Sequence, residues 1–177
     1  MQQLLGTSMW GWTIDSPTAF KLLDTFYAAG YRQVDTATNY PINKNPADWR
    51  KAENILAEWI KAHAVRDLQI WVKVGSVDNQ MSPQHRLTAS FLYLAADYYR
   101  HLYSDNLHTF GIHWDNRVAM EAIRDTFTAL KSVQEDGWAV GFSGVQRPDL
   151  YAAVNRDFGL NFRIQLKSSL LHSDYAR

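Results

Sequence analysis

Six short apolar runs alternate with helical patterns along the whole chain, and this alternation restricts the fold more than any other feature. The runs are "QLLGTSM" (3–9), "YRQVDT" (31–36), "LQIWVKV" (68–74), "LHTFGIHW" (107–114), "WAVGFSGV" (138–145) and "FRIQLKS" (162–168). Several are rich in β-branched or aromatic residues, as strands are. The five segments between them carry helix punctuation. Ser16-Pro17, Asn45-Pro46 and Ser82-Pro83 each offer an N-cap followed by proline at the first helical position. Gly30, Gly137 and Gly159 stand where helix C-caps are expected. Three apolar stripes follow at helical spacing: Phe20, Leu23, Phe26 and Tyr27; then Trp49, Ala52, Leu56, Trp59 and Ile60; then Leu87, Phe91, Leu94, Ala95 and Tyr98. Strict strand–helix order predicts an α/β protein with a parallel sheet and helical crossovers. The alternation leaves two closures open, a doubly wound open sheet and a barrel wall of the (β/α)8 type. A complete barrel takes about 250 residues; this chain has 177, so a barrel would be incomplete.

Charge and composition narrow the function classes. The 18 basic residues balance the 18 acidic ones, so no general field draws the chain to nucleic acid or to an acidic membrane. There is no cysteine, which removes thiolate nucleophiles, thiolate metal sites and disulfides and fits a reducing compartment. The start "MQQLLGTSMW" lacks a basic region followed by a long apolar stretch. No run of about 18 apolar residues could span a bilayer. A single cytoplasmic domain over 1–177 is expected. The histidines show no H-E-x-x-H or similar ligand spacing, so no metal site is expected.

In parallel α/β folds chemistry gathers at the carboxyl ends of strands. Asp35 closes the second run, and Tyr40 follows five residues later in "DTATNY". Lys73 lies near the end of the third run and His113 near the end of the fourth. Singly, each reads as a strand-end or packing residue. Together they make chemical sense. A phenol has a pKa of about 10, and a neighbouring ammonium favours its ionised form. A carboxylate holds that ammonium by a charge-assisted hydrogen bond, and a histidine can donate to a substrate oxygen. Such a set could protonate a carbonyl oxygen while hydride reaches its carbon.

These residues carry a resemblance. "LGTSMWGW" (5–12), "GYRQVDTATNY" (30–40), "WVKV" (71–74), "GIHW" (111–114), "GFSGV" (141–145) and "RIQLK" (163–167) resemble segments of the aldo-keto reductase family, in the family's order. The resemblance implies an incomplete (β/α)8 TIM barrel, about six parallel strands alternating with helices. It implies reduction of an aldehyde or ketone with NADPH, NADH remaining open. The absence of G-x-G-x-x-G and P-loop motifs agrees with a family that binds its cofactor without a Rossmann fold. Tyr40 would be the general acid/base, tuned by Lys73 and Asp35, and His113 would orient the carbonyl. Thr7, Asp35, Ser143 and Gln165 would meet the cofactor, Ser143 and Gln165 at the nicotinamide carboxamide. Trp10, Trp12 and Trp114 would line the substrate pocket. Two departures stand out. Gly144 occupies a position where the family often has Asn. The chain also ends after six βα units, without the two units that hold the cofactor's phosphates in the family. Six strands cannot close a barrel of eight, so a second chain covering the open side is one expectation. A non-catalytic binding or regulatory subunit, or an inactive fragment, is the alternative to an active reductase.

Overall fold

The computed structural model describes residues 3–166 and the backbone of two further short strands, 168–169 and 172–173. Six parallel strands form one sheet: β1 (Leu4–Gly6), β2 (Gln33–Ala37), β3 (Gln69–Val74), β4 (Leu107–His113), β5 (Ala139–Ser143) and β6 (Phe162–Gln165). Their order in the sheet is their order in the chain. This settles which closure the alternation produces. A doubly wound sheet reverses direction at a switch point, whereas here every crossover steps the same way. Right-handed crossovers that never reverse leave all helices on one side. The sheet therefore curves as the wall of an incomplete (β/α)8 barrel, with β1 and β6 at its two edges.

Five helices link the strands: α1 (Ser16–Ala28), α2 (Lys51–His63), α3 (Ala89–Tyr103), α4 (Met120–Glu135) and α5 (Pro148–Phe158). The core lies between helices and sheet. Val34, Ile70, Val72, Phe110, Ile112 and Val140 are buried there. On the same side Phe127 of α4 packs against Phe142 and Phe162. Side chains alternate along each strand, so Asp35, Trp71, Lys73, Gly111 and Gly141 fall on the opposite, concave face. There Gly111 and Gly141 are register partners. A Cβ on Gly111 would stand 2.5 Å from Nε1 of Trp71, and one on Gly141 would stand 2.8 Å from Cζ2 of the same indole. The two glycines make room for the Trp71 ring across the sheet.

Local signals set several element ends differently from the sequence expectation. Asp15, not Ser16, caps α1, its carboxylate accepting from the Thr18 amide at 2.9 Å. Asn45 caps only a 3-10 turn at Pro46–Asp48, and α2 begins after Arg50 turns the chain at φ 66°. Trp49 therefore lies outside the helix. No helix starts at Ser82-Pro83; Thr88 caps α3. Each strand is also shorter than its apolar run, and Lys167, within the sixth run, lies outside the described residues. Gly30 and Gly137 follow their helices at φ 86° and 97°, and Gly159 caps α5 at φ 64°, as the punctuation predicts.

The third stripe needs a larger correction. Leu94 is 73% exposed and Tyr98 is exposed, while Leu92, Ala96, Tyr99 and Tyr103 are buried. Eleven of the fifteen positions of α3 are apolar or aromatic, so periodicity offers two faces. A contact distant in sequence chooses between them: Tyr99 donates to the buried Glu53 carboxylate of α2 at 2.5 Å, and the Tyr103 hydroxyl reaches the Glu53 carbonyl at 3.4 Å.

Candidate active site

The second strand carries Asp35 onto the concave face and then turns sharply. The Tyr40 amide donates to the Ala37 carbonyl at 3.0 Å, which folds the tyrosine back over the strand end. The turn is pinned to β3, since the Thr38 amide donates to the Lys73 carbonyl at 3.0 Å. Thr38 Oγ1 also meets the Tyr99 hydroxyl at 3.0 Å, so the buried Glu53–Tyr99 pair supports the loop from below.

Lys73 stands at the centre. Its Nζ donates to Asp35 Oδ2 at 2.9 Å, to the Tyr40 phenol oxygen at 3.0 Å and to Gln165 Oε1 at 3.0 Å. An ammonium has three protons and no acceptor capacity, so these three bonds use all of them. Because the phenol oxygen accepts from Lys73, its own proton is left for another acceptor. His113 lies beside the phenol, the rings edge to face with centroids 5.9 Å apart. Its Nδ1 is 3.0 Å from the side-chain oxygen of Asn39, and the Trp114 indole packs on it at 4.4 Å.

Burial sets the protonation states. It raises the Tyr40 pKa above the ordinary phenol value; the Lys73 charge opposes this and the Asp35 charge adds to it. The expectation that Lys73 brings the phenol down is corrected in its net direction, because desolvation outweighs the ammonium. The phenol is thus held in its protonated, donating form. Asp35 is also raised by burial, against the opposing effect of Lys73. His113 is pushed well below the usual histidine range, first by burial and then by the Lys73 charge, so its imidazole is neutral at physiological pH.

Other residues singled out in the sequence fall at different depths. Ser143 is the register partner of His113 on one side and of Gln165 on the other, which places the three in a row across β4, β5 and β6. Thr7 is fully buried and donates to Thr36 Oγ1 at 2.9 Å. Trp10 is 1% exposed, within the core, whereas Trp12 is 49% exposed on the loop after β1. Gly144 adopts φ 72°, and a Cβ there would lie 2.5 Å from Cδ1 of Trp114. Backbone conformation and the neighbouring indole together explain the glycine. Gly144→Ala is expected to cost about 1–3 kcal/mol in urea unfolding; an unchanged midpoint would show that neither the backbone conformation nor the Trp114 ring requires glycine there. Neither Asn39 nor Glu53 is marked as functional by the sequence, although both are buried and hydrogen-bonded here. Asn39 stands in "DTATNY", directly before Tyr40, but an amide beside a tyrosine gives no sign of its partner 74 positions away.

Among the described residues, no group of three or more His, Asp or Glu side chains is placed to hold a metal ion. Nor is any helix among them long and apolar enough to cross a membrane. A profile of the Aldo/keto reductase family matches residues 4–173, nearly the whole chain. The chain belongs to the aldo/keto reductase family. The chain is similar to a crystal structure of an aldo/keto reductase from Brucella melitensis, with a TM-score of 0.62 at 22% identity, over 92% of this chain. The match covers 58% of that structure's length. An uncharacterized 11.2 kDa protein from the crtE 3′ region of Pseudescherichia vulneris is 35% identical over 79 residues, 41% of this chain and 73% of that protein. Aldo/keto reductases as a family are oxidoreductases that generally use NAD(P)H.

Proposed function

We propose that this aldo/keto reductase chain reduces an aldehyde or ketone to its alcohol with hydride from NADPH, Tyr40 supplying the proton. The supporting observation is the triple engagement of Lys73 with Asp35, Tyr40 and Gln165, which holds a protonated phenol beside a neutral imidazole. The concave face also fits the nicotinamide end of the cofactor. Ser143 and Gln165 are adjacent across β5 and β6, and between them they offer the donors and acceptors a carboxamide needs. Asp35 Oδ1 is a buried acceptor without a partner, as a hydroxyl-bearing ligand requires. Bound there, NADPH would supply a hydride, one proton with two electrons, to the carbonyl carbon.

The chain's own residues manage the oxygen. The carbonyl oxygen gains negative charge as its carbon is reduced, and the Tyr40 O–H delivers a proton to it. The Lys73 ammonium, already bonded to the phenol oxygen, stabilises the phenolate left behind. Asp35 fixes the ammonium in position, and one proton from solvent restores the phenol after turnover. Titrating the 177-residue chain with NADPH, and separately with NADH, should give saturable quenching of tryptophan fluorescence. An added simple aldehyde should then be consumed one for one with NADPH. Binding of neither nucleotide, or nucleotide binding without aldehyde-dependent oxidation, would overturn the reading.

A further inference from the structure

His113 and Asn39 form a buried pair whose proton arrangement decides what the histidine can do. Asn39 is 1% exposed and His113 is 3% exposed. The contact joins Nδ1 of the imidazole to one end of the amide at 3.0 Å. A neutral imidazole carries one N–H, and the partner of one nitrogen fixes the state of the other. An amide oxygen at Nδ1 requires a proton there, so Nε2 could only accept. An amide NH2 at Nδ1 leaves that nitrogen as the acceptor and puts the proton on Nε2. The two ends of an asparagine amide have nearly the same shape, and the hydrogen-bond network decides between them. With the oxygen turned to His113, Asn39 Nδ2 is buried without a partner. Rotating the amide by a half-turn gives that nitrogen an acceptor, at the same distance, in Nδ1. The group then left unpaired is a carbonyl oxygen, which buried sites tolerate more readily than an N–H.

We propose that Asn39 is a positioning residue that turns its NH2 toward His113 Nδ1 and so holds the Nε2–H tautomer, the form able to donate to a substrate carbonyl. This rests on the carbonyl-reductase reading of the site. It gives a purpose to the amide immediately before Tyr40: the same turn that sets the phenol over Lys73 sets the orientation of the imidazole's proton. The titratable groups facing His113 are Tyr40, from the loop after β2, and Lys73, from β3. Asp35 lies beyond Lys73, and the Trp114 ring covers another side.

Two measurements test it. In 15N-histidine NMR of the full chain, with the His113 signals assigned by their loss in His113→Gln, the wild type should show the proton on Nε2 near neutral pH. In Asn39→Asp, a carboxylate can only accept, so above the apparent pKa of the Asp–His pair the proton should move to Nδ1. Below that pKa the extra proton restores Nε2–H. The variant's kcat for aldehyde reduction should therefore match the wild type at low pH. It should fall about 10²-fold as pH rises, the size of effect seen when one donor to a developing oxyanion is lost, with KM changed much less. Asn39→Ala should lose the single tautomer and show no such pH step. A wild-type proton on Nδ1, or the same tautomer in wild type and Asn39→Ala, would overturn the proposal, and neither result depends on turnover. A chain that shows no aldehyde reduction but keeps an Asn39-dependent Nε2–H would overturn the enzymatic reading and leave the tautomer assignment standing.

Discussion

Tyr40→Phe is expected to lower turnover about 10²–10⁴-fold, the usual contribution of a positioned general acid, while the fold survives. The side chain is 8% exposed, so its ring is part of the packing. Phenylalanine keeps that ring against His113 and removes only the oxygen. One hydrogen bond is lost, that from Lys73 Nζ at 3.0 Å. Its net worth in stability is about 0.5–1.5 kcal/mol, somewhat more because the donor is charged. Lys73 keeps Asp35 and Gln165, so the centre of the site stays in place. The variant should bind NADPH with nearly unchanged affinity, because nothing proposed for the nicotinamide end involves the phenol. Loss of kcat with retained nucleotide binding and a thermal midpoint within a few degrees is the expected pattern. Undiminished turnover would remove Tyr40 from the reaction. A collapse in stability would instead assign it to the core.

The fold was legible because strand and helix order depends on local patterns that the sequence displays directly. Strands, crossovers and glycine stops were all readable, and the unreversed strand order then followed from the structure. What stayed hidden depends on residues far apart in the chain. The buried face of α3 is chosen by Glu53, 46 positions before Tyr99, and no window over α3 contains that information. The expected helix start at Ser82-Pro83 failed for a related reason. A cap motif states only that a helix could begin there. In the structure this stretch stays irregular, and Ser76 bridges to His85.

The site was legible to a similar depth. Asp35, Tyr40, Lys73 and His113 could be gathered because strand ends in a parallel sheet converge on one rim. Their electrostatics could not be read the same way. Sequence shows that a lysine is near a tyrosine; burial decides which influence wins, and here it keeps the phenol protonated. The Lys73 contact with Gln165, 92 positions away, was equally out of reach. So was the reason for Gly144, which depends on where the Trp114 ring comes to rest.

Lys73→Met is expected to cost about 3–5 kcal/mol of stability at neutral pH, the penalty for stranding one member of a buried ion pair. An exposed pair would be worth about 1 kcal/mol or less, but here the side chains are only 2% and 8% exposed. Without the ammonium, Asp35 Oδ2 loses its 2.9 Å partner, and Oδ1 has none to begin with. The sign with pH follows from the direction of the Asp35 shift. Its folded-state pKa is raised by burial, with Lys73 the main opposing influence, so removing Lys73 raises it further. A group raised in the folded state contributes stability that is present below its unfolded pKa, about 3.9 for Asp. That contribution is lost as pH rises through the folded value. The variant should therefore fall furthest behind the wild type at neutral pH and approach it as pH drops toward about 4. Asp35→Asn in the same background should recover much of the neutral-pH loss, because it removes the stranded charge and keeps the shape. A loss equal at both pH values and untouched by Asp35→Asn would mean that the lysine's aliphatic stem, not its charge, holds this face together. Catalysis gives a second reading of the same charge. Lys73 is the group that favours the phenolate of Tyr40, so any turnover left in the variant should carry its alkaline limb to higher pH. A pH–rate profile coincident with the wild type would separate the ammonium from the phenol it touches.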